Sequence, residues 1–181
     1  ADSGNSTIQI FDSNGSLIQT INLEAEFDPL GGIAIDHDGR ILALDSYTAQ
    51  IQIFGSDGIL EQTIEGYTIS QGDTYSLSAG IAIDSQNRII VGYAYHDAVL
   101  IFDSDGVLVT TIGQEGSGDE EFQDPGEIVV DQNDNIFVLD RNNDRVQVFH
   151  SDGSLYRIIG RYGIADGEFD FVIAIGVVYT L

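Results

Sequence analysis

The chain has 181 residues, 43% hydrophobic and 9% aromatic, enough for one domain with a substantial core. Its 30 acidic residues stand against 6 basic ones, all arginine, and a formal net charge of -24 excludes nucleic acid and anionic lipid surfaces as partners, because those are held by Lys and Arg on phosphate. Without cysteine there is neither a disulfide framework nor a thiolate metal site, and no apolar run reaches the roughly 20 residues that cross a bilayer.

Methionine is absent, a starting one included, as expected of a chain made by cleavage or excised from a longer one. A lysine-free acidic surface suits a salty, extracellular or cell-surface setting, where counterions screen self-repulsion.

Taken in order, the predicted elements repeat. Residues 1 to 23 supply two strands around the turn Phe11-Asp12-Ser13-Asn14-Gly15. That turn returns as Phe54-Gly55-Ser56-Asp57-Gly58, Phe102-Asp103-Ser104-Asp105-Gly106 and Phe149-His150-Ser151-Asp152-Gly153, at steps of 43, 48 and 47 residues. A second signature keeps the same beat, in Gly32-Ile33-Ala34-Ile35-Asp36, Gly80-Ile81-Ala82-Ile83-Asp84 and Glu127-Ile128-Val129-Val130-Asp131. Periods of this size belong to solenoids and propellers.

The last full unit shows the pattern best. Glu127 to Asp131 reads as a short strand buried on both faces, Ile136 to Asp140 as a second, Arg145 to Phe149 as an alternating third, and Leu155 to Gly160 as a fourth, with polar turns between. Four antiparallel strands in about 47 residues make a propeller blade. The predicted fold is all-β, a β-propeller of four-stranded antiparallel blades in one domain, residues 1–181. Its parts are a partial blade 1–24, blades 25–72, 73–118 and 119–167, and a partial blade 168–181. The Ile-rich strands are expected innermost and the Phe-x-Ser-x-Gly turns between the two outer strands. If residues 1 to 23 and Phe171 to Leu181 complete one blade, the ring has about four blades; otherwise the chain is part of a larger propeller, or copies complete one another.

Pro125 to Phe149, PGEIVVDQNDNIFVLDRNNDRVQVF, resembles an NHL repeat, and so do Leu30 to Phe54 and Ala79 to Phe102, while Ala1 to Phe11 resembles the second half of another copy. The resemblance implies a propeller, usually of six blades. Glu127 stands where the family usually has glycine, Gly92 is read as replacing the aspartate seen at Asp45 and Asp140, and Tyr93-Ala94-Tyr95-His96 is unusual for its loop.

Chemistry is sparse. Asp36, Asp38, Asp103 and Asp105 are weak calcium candidates, since clustered oxygens suit a hard cation, but tight turns call for the same residues. No cofactor is otherwise expected. His37, His96 and His150 fall in non-equivalent loops, which does not favour a shared zinc. Nucleophilic catalysis lacks cysteine, lysine and a Gly-x-Ser-x-Gly elbow. Two loops exceed what turns require, Glu65 to Tyr75 and Gly92 to Asp97, and with residues on equivalent loops they nominate Tyr67, Tyr75, Tyr93, Tyr95, His96, Arg141, Arg145, Arg161 and Tyr162 as a binding face.

The expectation is a non-catalytic extracellular module that presents these loops to a protein or glycan. One alternative is a structural subunit that assembles with copies of itself through an incomplete blade. Another is a metal-dependent propeller lyase or hydrolase, which would need polar residues on the inner strands where Ile33, Ala34, Ile81, Ala82, Ile128 and Val129 stand.

Overall fold

The computed structural model describes residues 1–23, 30–45, 48–65, 80–170 and 174–176, with backbone alone at Tyr95. The chain forms two compact units, Ala1–Leu77 and Ser78–Leu181. In the first, β1 (Thr7–Phe11) pairs with β2 (Leu17–Asn22), and β3 (Leu30–Ile35), β4 (Ile41–Asp45), β5 (Ile51–Phe54) and β6 (Leu60–Ile64) form an antiparallel meander. In the second, β7 (Ile81–Ile83), β8 (Ile89–Tyr93), β9 (Ala98–Phe102) and β10 (Leu108–Ile112) form one meander, and β11 (Pro125–Val130), β12 (Ile136–Asp140), β13 (Arg145–Phe149) and β14 (Leu155–Ile159) another.

The turn signature has a direct physical cause. After Phe11, the Asp12 carboxylate accepts the N–H groups of Asn14 and Ser16 at 2.9 and 2.8 Å, and Gly15 takes the left-handed φ of 82° that closes the hairpin with a bulge. Asp103 does the same for Asp105 and Val107. Where Gly55 or His150 stands in that place, the later Asp57 or Asp152 accepts instead, from Ile59 N and Ser154 N at 3.0 Å. The turns between first and second strands are built alike on Asp36, Asp84 and Asp131.

Burial corrects one sequence expectation. The strand from Glu127 to Asp131 was expected to be buried on both faces, yet β11 is only partly buried, and β3, its counterpart, is half-exposed with Ile35 66% accessible. Every residue of β4, β5, β8, β9 and β13 is buried. A first strand lies at the sheet edge and has a neighbour on one side only; the second and third are flanked on both.

In the second unit, Ile90, Val99, Ile101 and Ile112 of one sheet pack against Ile128, Ile136, Val138 and Phe149 of the other, with Phe122 at 0% exposure among them. The Phe122 and Phe149 rings lie 5.8 Å apart, tilted by 48°. Burying a side chain of this size is worth roughly 2–3 kcal/mol. The sheets approach too closely for a side chain at two points: a Cβ on Gly80 would meet Ile128 N at 2.5 Å, and one on Gly92 would meet the Gly126 carbonyl oxygen at 2.5 Å. In the first unit a smaller core joins Ile8, Ile21 and Leu23 to Ile41, Ala43 and Phe54.

Candidate functional site

The connection between β10 and β11, residues 113–124, is irregular, and its backbone polar groups need partners. It folds on itself through Gly116 N–H to Phe122 O at 2.9 Å and Phe122 N–H to Gln114 O at 2.8 Å. Others are met by side chains in and just before β13. Asn143 donates to Gly116 O at 2.9 Å, and Arg145 donates to Gly118 O at 2.6 Å and Glu121 O at 2.8 Å. Gln147 donates to Glu121 O at 2.6 Å while its own oxygen accepts Glu120 N–H at 3.0 Å. Behind them Asp140, 0% exposed, accepts Gln123 N–H at 2.8 Å, Arg145 Nε at 2.7 Å and Asn143 Nδ2 at 3.0 Å. This clamp is set by local geometry. β12 ends at Asp140, one 3-10 turn (Arg141–Asn143) follows, and Asp144 at φ 49° reverses the chain so that Asp140, Arg145 and Gln147 converge.

The left-handed residue of that turn recurs three more times among the described residues. Ser6, Ala49 and Asp97 hold the left-handed place at φ 49°, 56° and 48°. In the first sheet Asp2, Asn5, Thr7 and Gln9 stand where Asp140, Asn143, Arg145 and Gln147 do, and Asn5 Nδ2 donates to Asp2 at 2.8 Å. In the second, Asp45 and Gln52 are buried in those positions and Asp45 accepts Thr48 N–H at 2.7 Å. The third sheet departs, and its register corrects the reading of Gly92. Tyr93, the last residue of β8, takes the place of Asp140, and Gly92 takes that of Leu139, against the Gly126 carbonyl. Ala98 and Leu100 replace the arginine and glutamine, so this copy is apolar where the fourth is polar.

Of the residues nominated from sequence, Arg145 and Tyr93 are corrected. Arg145 is 8% exposed and spends its guanidinium on the clamp, because the polar positions of β13 face a neighbouring loop rather than water. Tyr93 is 2% exposed, with its ring 5.1 Å from that of His96. Tyr67 and Tyr75 lie outside the described residues, and so does the side chain of Tyr95.

Asp124 links Asp97, the residue after His96, to Arg141. Asp97, which follows His96, accepts Asp124 N–H at 2.8 Å, and Arg141 lies 4.0 Å from the Asp124 carboxylate. Burial pushes the Asp97 carboxyl above its ordinary range; the Asp124 N–H opposes this, while Glu115, Asp124 and Asp140 add repulsion. Arg161 and Tyr162 belong to a different loop, residues 160–170, where Arg161 pairs with Glu168 at 2.7 Å and Tyr162 is 70% exposed.

On its other side the 113–124 loop borders a cleft of about 410 Å³ lined by Thr110, Gln114, Asp119, Glu120, Glu121 and Asp152. Hydrogen bonds from Gly118 N–H and then Gln114 hold the Glu121 carboxyl below its ordinary value, and the Ser154 hydroxyl and N–H do the same for Asp152. The lining is anionic at neutral pH and rich in acceptors. The calcium candidates Asp36 and Asp103 direct an oxygen to turn N–H groups, and Asp36 also pairs with Arg40 at 2.6 Å. Among the described residues no three His, Asp or Glu side chains are grouped to hold a metal ion.

Sequence reasoning missed Asp97, Asp124, Asn143 and Gln147. A signal was present: glutamine recurs two places after Thr7, Gln50 and Arg145, each time preceded by a turn with Asp at its start.

The DUF5128 family model, described as a 6-bladed beta-propeller, matches residues 80–136. Together with the four-stranded sheets this decides the fold. The chain is a β-propeller. Its structure is similar to streptogramin B lyase, at TM-score 0.68 and 15% identity over 86% of this chain and 48% of that one. It is also similar to a catalytically inactive virginiamycin B lyase from Staphylococcus aureus with quinupristin, at TM-score 0.66 and 14% identity over 85% and 48%. A functionally unknown protein from Desulfotomaculum acetoxidans gives TM-score 0.62 and 21% identity over 87% and 50%. The propeller spans about half the length of these proteins. No curated protein matches it.

Proposed function

We propose that this is a non-catalytic, NHL-like propeller module of the extracellular space or cell surface that binds a glycan or protein through the 113–124 loop. The observation that carries the reading is that Asp140, Asn143, Arg145 and Gln147, the residues most suggestive of chemistry, are consumed in fixing that loop. A loop held this way is pre-organised, so a ligand meets its carboxylates, amide and threonine hydroxyls with little ordering cost. Acceptor-rich walls suit the hydroxyl groups of a glycan or the cationic side chains of a protein. Elsewhere on the loop, Arg141 lies 4.0 Å from the Asp124 carboxylate.

Glycan and protein arrays probed with the full chain test the reading. Binding that falls at least about tenfold in Glu120→Gln or Asp119→Asn, with the melting temperature retained, is the expected outcome, one lost hydrogen bond being of that order. Turnover of quinupristin would overturn the non-catalytic reading, and binding indifferent to both substitutions would move the site elsewhere.

A further inference from the structure

β10 is the outer edge of its sheet, and Val107, Leu108 and Val109 at its start are 62%, 43% and 57% exposed. An edge strand offers unpaired N–H and C=O groups, and charge is a common guard against their pairing with another chain. β6 carries Glu61 and β14 carries Arg157, but no residue from Val107 to Ile112 is charged. Among the described residues no strand pairs with the outer side of β10.

The first sheet shows what fills the seam beside such a strand. Gln19 of β2 and Thr110 of β10 hold the same place, paired with Ile10 and Ile101 just past a bulge. Gln19 Nε2 donates to the carbonyl oxygen of Asp57, in the outer turn of the next sheet, at 2.6 Å. The two seams match: a Cβ on Gly58 would meet Ile21 Cγ1 at 3.0 Å, and one on Gly153 would meet Ile112 Cγ1 at 3.3 Å. Asp152 is therefore the counterpart of Asp57, but threonine is too short to reach it. Among the described residues nothing donates to the Asp152 carbonyl oxygen, and the cleft of about 410 Å³ is the space left. In the fourth sheet, whose β14 leads into a loop that repeats 113–124 with Gly163 N–H bonding Phe169 O at 2.9 Å and Phe169 N–H bonding Arg161 O at 2.8 Å, this place belongs to Arg157.

Thr110 and Ile112 share one face of β10, so a residue set opposite Thr110 on an added strand points into the cleft beside it. We propose that the outer edge of β10 takes an extended segment of a partner protein as an added strand, and that an arginine opposite Thr110 enters the cleft and donates to the Asp152 carbonyl oxygen between the carboxylates of Asp119 and Glu120. The strand backbone supplies affinity and the cleft supplies specificity. A guanidinium has donors enough for a carbonyl and carboxylates together, and a net charge of -24 draws a basic segment while it repels a second copy of this chain. The proposal rests on the reading of this cleft as a ligand surface and names the ligand as protein.

The probe is a blocked peptide of alternating threonine and valine with a central arginine, titrated into the full chain and followed by NMR. The expected result is amide shifts along β10 and at residues 119–121, with binding about tenfold or more weaker when norleucine replaces the arginine, the size of a lost charge-assisted hydrogen bond. Thr110→Gln, which supplies the glutamine of the first sheet, keeps the melting temperature and makes the two peptides bind alike. No shift along β10, or equal binding of both peptides by the parent chain, overturns the proposal. So does self-association that is lost in Thr110→Gln, which would give the edge to a second copy. An array glycan whose binding falls in Glu120→Gln but not in Thr110→Gln overturns it as well, and leaves the ligand reading of the cleft standing. Peptide binding indifferent to both Glu120→Gln and Asp119→Asn overturns the two together.

Discussion

The loops at residues 113–124 and 160–170 have one backbone plan and two fates. In the first, Phe122 is fully buried between two sheets and the carbonyls are taken by Asn143, Arg145 and Gln147. In the second, Phe169 is half-buried against Leu139, Val146 and Val148, and among the described residues the loop's polar side-chain contact is its own Glu168, held by Arg161 at 2.7 Å. A repeat therefore carries its loop ready-made and obtains the residues that hold it from the sheet that follows. Identity along the chain does not mean equal stability, because half of each contact belongs to the neighbour.

The sharpest way to break the comparison is to shorten the two phenylalanines. Phe122→Ala should destabilise the second unit by about 3–5 kcal/mol, the usual cost of emptying a fully buried aromatic site. Phe169→Ala should cost well under half as much, since part of its surface already meets water. Chemical denaturation of both variants checks this, and equal losses would mean that the open loop is as tightly packed as the clamped one.

Removing the anchor of the clamp comes next. Asp140→Ala strands the Arg145 guanidinium, 8% exposed, without its carboxylate, at a cost of about 3 kcal/mol. Amide exchange at Phe122 should accelerate while exchange at Phe169 stays unchanged. Adding Arg145→Met should restore part of the stability, because the uncompensated charge is then gone.

The strand order, the turns and the propeller class were legible from the repeat period, since Asp and Gly at fixed offsets after Phe act locally and need no knowledge of neighbours. Arg145 and Gln147 were not. Their alternation with Val146 and Val148 looks like a strand with one wet face, and only the position of the preceding loop shows that the polar face is dry. The burial of β11 was misjudged for a related reason: Ile128, Val129 and Val130 report an apolar strand but not how much of each face its neighbours cover. Gly92 was placed one residue out of register because Tyr93 bears no likeness to the Asp45 and Asp140 it replaces.

Gly92 sharpens the comparison at a smaller scale. Gly92→Ala puts a Cβ 2.5 Å from the Gly126 carbonyl, on backbone that cannot turn aside. The two sheets must separate slightly, at about 1–3 kcal/mol, the usual cost of overpacking. Loosening should reach the Asp97–Asp124 hydrogen bond, seen as faster exchange of Asp124 N–H. A variant as stable as the parent would show that the sheets adjust freely.

The smallest effect lies in the open loop. Arg161 is the first cause, and Ala165 N–H the second, of a Glu168 carboxyl held below its ordinary 4.5. A lowered carboxyl favours the folded state above its unfolded value, and that contribution is lost as pH falls through the folded one. Arg161→Ala removes the larger cause, so the Glu168 midpoint should rise toward 4.5 and the loss on acidification should begin at higher pH. The melting temperature at neutral pH should hardly change, because Arg161 is 80% exposed and its pair is screened by solvent. Glu121 is the internal control: Gly118 N–H and Gln114 hold it down, so its midpoint should stay where it is in the variant. Carboxyl titration by NMR reads both groups in one sample, and a Glu168 midpoint unmoved by Arg161→Ala would show that backbone N–H groups, not the Arg161 pair, set the acid response of the 160–170 loop.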